Sequence, residues 1–151
     1  MSRQHSPHER FKPIVTSLGW GGVAPFVLLL LSTLLDAPPQ LETLLITYGL
    51  LILAFLCGTL WMEQILSTPP EARQLIASNL VVLVAWPAVL LPPPAATALL
   101  AAGFVLHLGL DTPWKKPNLP AWYARLRLHL SVVVTALLVL ATLVGAIDGA
   151  R

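Results

Sequence analysis

Leu44-Leu-Ile-Thr-Tyr-Gly-Leu-Leu-Ile-Leu-Ala-Phe-Leu-Cys-Gly-Thr-Leu-Trp-Met62 carries no charged residue over 19 positions. As an α-helix, this stretch rises about 28 Å, close to the roughly 30 Å hydrocarbon thickness of a bilayer. It shows no apolar–polar alternation, so it does not read as a barrel strand. In lipid, every backbone polar group must be satisfied within the segment, which leaves a helix. Residues 44–62 are therefore read as a membrane span.

Four similar stretches surround it. Working outward, the spans fall at about 18–35, 44–62, 76–91, 95–110 and 128–147. Asp36-Ala-Pro-Pro-Gln40 separates the first two, Pro69-Pro70 lies in the next loop, and Pro92-Pro93-Pro94 divides the third from the fourth. The third and fourth are short and leave two readings open: two full crossings, which the pattern favours, or a re-entrant hairpin turning at the triple proline. Pro87 removes a backbone donor and is expected to kink the third span. Residues 1–17 form a polar, basic tail and 148–151 a short stub.

Composition agrees with this frame. Of 151 residues, 56% are hydrophobic and 11% charged, whereas an ordinary soluble domain carries about 25% charged residues. The net charge of +2 does not indicate nucleic-acid binding, because the basic residues flank spans. The lone Cys57 excludes an internal disulfide and a multi-cysteine metal site, and its apolar surroundings predict an inert thiol. No metal or cofactor is expected.

Sidedness follows from Lys and Arg, which accumulate on the cytoplasmic side. Arg3, Arg10 and Lys12 precede the first span, Arg73 lies in the 63–74 loop, and Lys115, Lys116, Arg125 and Arg127 lie in the 111–127 loop. Those segments fall on one side; the opposite side has Arg151 alone. The expected architecture is an all-α membrane protein: a bundle of about five transmembrane helices with a cytoplasmic amino terminus. A short interfacial helix is expected before the last span, because Pro120 can start a helix and Trp122, Tyr123, Leu126 and Leu130 share one face by helical spacing.

Ionisable residues deep in a bilayer are costly and tend to be functional. Glu63, His107 and His129 lie near the cytoplasmic ends of their spans, and none falls near the midplane. They form a candidate polar cluster, with three ordinary interfacial residues as the plainer alternative. The basic, aromatic 111–130 segment is a candidate surface for anionic lipid or a partner, through Lys115, Lys116, Trp122, Tyr123, Arg125 and Arg127. Ala98 and Ala102, Ala141 and Gly145, and Gly49 and Gly58 read as positions where helices approach closely.

Three stretches, Leu18-Gly-Trp-Gly-Gly-Val-Ala-Pro-Phe26, Tyr48 to Trp61 and Pro120 to Leu128, resemble in order and spacing the family called domain of unknown function 3429. That family includes transmembrane protein 69 of mitochondria. The resemblance covers about residues 16–147 and implies a small multi-spanning protein of the bacterial inner membrane, with no established activity. One departure stands out: Cys57 occupies a position where the family pattern has Gly, and Leu60 one where it has His, while Trp61 is kept. Any chemistry carried by that histidine in relatives is absent here.

These observations favour a non-catalytic accessory, assembly or lipid-interacting protein, whose partners are membrane lipids, anionic ones in particular, and a larger membrane complex. The alternative is a carrier or enzyme for a lipophilic substrate such as a quinone or lipid. A lipid-open cavity leading to Glu63 and His107 would favour the alternative, and a solid bundle the first reading.

Overall fold

The computed structural model describes residues 7–35, 37–111 and 119–148. The described chain is helical, with no strand. Helix α1 is Pro7–Gly21, α2 is Ala24–Leu34, α3 is Pro39–Leu66 and α4 is Ala72–Ala85. A 3₁₀ segment, Trp86–Leu90, continues α4; α5 is Pro93–Leu110 and α6 is Ala121–Asp148. Taken as continuous runs, Arg10–Leu34, Pro39–Leu66, Ala72–Leu90, Pro93–Leu110 and Ala121–Ile147 are long and apolar enough to cross a membrane.

Prolines punctuate these elements as their geometry requires. Pro39 and Pro93 open α3 and α5, and Pro25 lies in the first turn of α2, where a missing N–H has no intrahelical partner to lose. Pro87 lies inside the run and cannot donate to the carbonyl four residues earlier. There α4 ends and the tighter 3₁₀ segment takes over, which gives the expected disturbance of the third span its form.

The helices outrun the apolar stretches read from sequence. The first helix begins at Pro7 rather than near Leu18, and α3 extends from Pro39 to Leu66. Hydropathy marks the part of a helix that sits in hydrocarbon, but nothing stops the backbone from staying helical beyond it. For the same reason no separate interfacial helix stands before the last span among the described residues: residues 121–127 are the first two turns of α6, which runs unbroken to Asp148. The first span is in turn divided at Gly22-Val23, where Gly22 N–H bonds the Leu18 carbonyl and Val23 N–H the Trp20 carbonyl, both at 3.0 Å.

α5 and α6 form the most extensive contact, and α3 packs on α2, α4 and α5. At the centre, Phe26 meets Tyr48 and Phe104 edge-to-face, with ring centroids 5.6 and 5.8 Å apart. Gly103 lets α5 close on α3, since a Cβ there would lie 2.7 Å from a Leu53 methyl. Gly49 does the same against Leu100 and Phe26, and Gly145 against Pro94. Ala98 and Ala102, by contrast, face outward. The inner face of α5 is the one carrying Ala96, Leu100, Gly103, Phe104 and His107; spacing by four identified a stripe but not the side it faces. Gly58 is likewise exposed. α3 and α6 are not among the closely packed helix pairs, and the site lies between them.

Candidate functional site

Where the C-terminal part of α3, the C-terminal end of α5 and the second turn of α6 converge, Arg127 bridges them. Its Nη2 donates to Asp111 Oδ2 at 2.6 Å and to Thr59 Oγ1 at 3.1 Å, and its Nη1 lies 3.5 Å from Glu63 Oε1. The Tyr123 ring, one turn earlier on α6, lies 5.8 Å from the guanidinium carbon. Arg127 and Asp111 are both buried, while Glu63 is partly exposed. Isolated charges inside a bundle are costly unless paired and hydrogen-bonded. A guanidinium suits this junction because its planar fork serves several acceptors at once. Thr59 is oriented for its part: its hydroxyl donates to the Leu56 carbonyl at 2.7 Å, leaving oxygen lone pairs for Arg127.

His107 extends the cluster inward. It is buried, one turn before Asp111 on the same side of the chain, with Nε2 3.9 Å from Asp111 Oδ2. Its Nδ1 lies 3.8 Å from the thiol of buried Cys57. Cys57, His107 and Asp111 thus follow one another as a nucleophile, a base and an orienting acid would. The geometry does not favour that chemistry, since His107–Asp111 is too long for a hydrogen bond and Cys57 does not line the cavity described next.

A cavity of about 350 Å³ occupies the space between α3 and α6, roofed by α1 and α2. Its volume lies at the lower end of the roughly 300–1,000 Å³ typical of small-molecule sites. Val15, Leu18, Val23, Phe26, Ile52, Phe55, Leu56, Phe104, Leu126, Leu130 and Val134 give it an apolar wall, with Gly19 and Gly22 beside them. Its polar lining residues are Thr59, Tyr123, Arg127 and Ser131. The cavity is partly open, and Leu18 and Phe55 at its edge are exposed on the outer surface of their helices. Thr59 lies seven residues before the end of α3, about 10 Å along the axis.

The structure gathers Glu63 and His107 around a centre that sequence reading placed elsewhere. Arg127, read with Arg125 as part of the lipid- or partner-binding basic segment, is buried and paired. Arg125 and His129 are exposed, and His129 does not join the cluster. Trp122 stacks edge-on against Tyr123 at 5.7 Å, with the Lys12 ammonium 6.0 Å from its ring. Lys115 and Lys116 lie outside the described residues. Asp111, Thr59 and Ser131 were not anticipated. For Asp111 there was a signal, because it stands four residues after His107 where the helix ends. Ser131 stands four after Arg127, on the same face of α6. Among the described residues, no group of three His, Cys, Asp or Glu side chains could hold a metal ion.

Comparison with known proteins gives one match. The model of a family described as protein of unknown function (DUF3429) covers residues 11–143, most of the chain and all three stretches quoted above. No curated protein and no solved structure matches.

Proposed function

The chain belongs to the DUF3429 family, whose description carries no activity, so we propose its function from the site: it binds a lipophilic molecule in the α3–α6 cavity. The observation that carries this reading is the cavity's lining, a mostly apolar wall with Thr59, Tyr123, Arg127 and Ser131 as its polar residues, in a partly open space between helices apolar enough to cross a membrane. Ligand sites have this character, with apolar walls and a few convergent polar groups that fix orientation. A solid bundle would have favoured a purely structural scaffold. The cavity favours the carrier side of the alternative reading, a protein that holds a lipid or quinone-like molecule and presents it to a membrane partner, although Glu63 and His107 do not line it: Glu63 contacts Arg127, which does, and His107 lies beside Asp111. The reading is non-catalytic, because the thiol nearest to a base lies outside the cavity lining. It places the protein in a bacterial inner membrane with the 63–74 and 111–127 segments cytoplasmic, where exposed Arg125 faces anionic headgroups.

The test is mild extraction followed by native mass spectrometry and lipid analysis. The wild-type protein should retain a lipophilic molecule through gentle activation. Leu56→Trp, which places an indole in the cavity, should release it, while Leu80→Trp, on an exposed face of α4, should retain it. Equal retention by both variants would overturn the proposal.

A further inference from the structure

We propose that the headgroup this cavity accepts is uncharged and presents an acceptor oxygen, held by Ser131 and Arg127 one helical turn apart on α6. The inference rests on the cavity reading above and adds the class of ligand.

The first observation concerns Ser131. It lines the cavity, is only 8% exposed, and its hydroxyl makes no hydrogen bond among the described residues. The other buried hydroxyls of the bundle behave differently. Ser32 bonds the Leu29 carbonyl at 2.7 Å, Ser78 the Leu75 carbonyl at 2.9 Å and Thr97 the Pro93 carbonyl at 2.9 Å. Back-bonding to the preceding turn is the usual resting place of a helical hydroxyl in an apolar setting. Ser131 makes no such back-bond, which leaves its hydroxyl available to an acceptor in the cavity that the residue lines. A ligand acceptor there would supply the hydrogen bond that the backbone supplies to the other buried hydroxyls.

The second observation concerns charge. Arg127 is the cation lining the cavity, and two carboxylates already face it, Asp111 at 2.6 Å and Glu63 at 3.5 Å. A carboxylate or phosphate headgroup would bring a third anion to the same guanidinium and would have to displace one of them. A carbonyl or ether oxygen needs no countercharge. It can use an N–H of the five-donor guanidinium left over after these contacts, together with the Ser131 hydroxyl. The apolar wall then takes the tail.

The experiment uses three probes of similar tail length, a decyl-substituted benzoquinone, decylbenzene and laurate, with binding measured on the full chain in detergent. The benzoquinone should bind more tightly than both others. Ser131→Ala should weaken benzoquinone binding by about three- to tenfold, the range of one hydrogen bond, and leave decylbenzene unchanged. Tighter binding of laurate than of benzoquinone would overturn the uncharged headgroup. Equal weakening of benzoquinone and decylbenzene by Ser131→Ala, or no weakening of either, would overturn the role of the hydroxyl. Failure of all three to bind in a manner sensitive to Leu56→Trp would remove the cavity reading itself, a separate outcome.

Discussion

Replacing Arg127 by Ala removes the group that ties three helices together, and its effect can be worked from the geometry. The variant loses the 2.6 Å contact to Asp111, the 3.1 Å bond to Thr59 and the 3.5 Å contact to Glu63. It also withdraws the guanidinium from a buried carboxylate. Removing one partner of a buried ion pair destabilises by about 3–5 kcal/mol, because the remaining charge loses a compensating group. For a chain of this size, each kcal/mol moves the unfolding midpoint by about 2–4 °C, so a drop of about 6–20 °C is expected. The assay is thermal unfolding in detergent, followed with a thiol-reactive fluorogenic dye. Cys57 is the single cysteine and is buried, so it becomes reactive only as the bundle opens. Arg125→Ala serves as the control, since Arg125 is exposed and surface changes stay within about 0.5 kcal/mol. Arg127→Lys should recover part of the loss, because an ammonium keeps the charge but cannot span three acceptors. If Arg127→Ala and Arg125→Ala unfold within a degree or two of each other, the bridging role assigned to Arg127 is wrong.

Three further outcomes are expected. His107→Leu should lower the unfolding midpoint by several degrees and His129→Leu should not, since the first is buried against Asp111 and the second faces outward; equal effects would contradict the placement of His107. Gly103→Ala should destabilise by about 1–3 kcal/mol, because its Cβ would lie 2.7 Å from a Leu53 methyl, and in a Leu53→Ala background the added cost of Gly103→Ala should largely vanish; a neutral Gly103→Ala would refute the close approach of α3 and α5. In a Cys57→Ala background, Arg73→Cys should resist an impermeant maleimide applied outside intact cells, and ready labelling would reverse the proposed sidedness.

The five long helices were legible because hydropathy reports burial in hydrocarbon directly. Residues 44–62 needed no tertiary information to be read as a span, and the prolines at 39, 87 and 92–94 act where local geometry requires. The site was legible only in part. Glu63 and His107 stand out because charge and imidazole are rare within spans, so depth alone selects them. Arg127 was grouped with Arg125 in the basic lipid- or partner-binding segment, because sequence shows that the two project differently but not which of them α6 turns inward. Arg125 and Arg127 lie two residues apart, about 200° around a helix, and the structure sends one outward and the other inward. The cavity left no trace in the sequence. It arises from the spacing of α3 and α6, which depends on how α5 holds both.

The order of Arg127 and its partners along the chain has a consequence for biogenesis. A ribosome delivers Glu63 on the second span and Asp111 at the end of the fourth, and only then Arg127 at the start of the fifth. Until that last helix docks, the Arg127 contacts to both acids are unmade and the apolar faces of α2 and α5 lack α6 against them. The bundle is therefore latched by its final segment, and a chain stopped before residue 121 would lack both the Arg127 bridge and the α5–α6 contact.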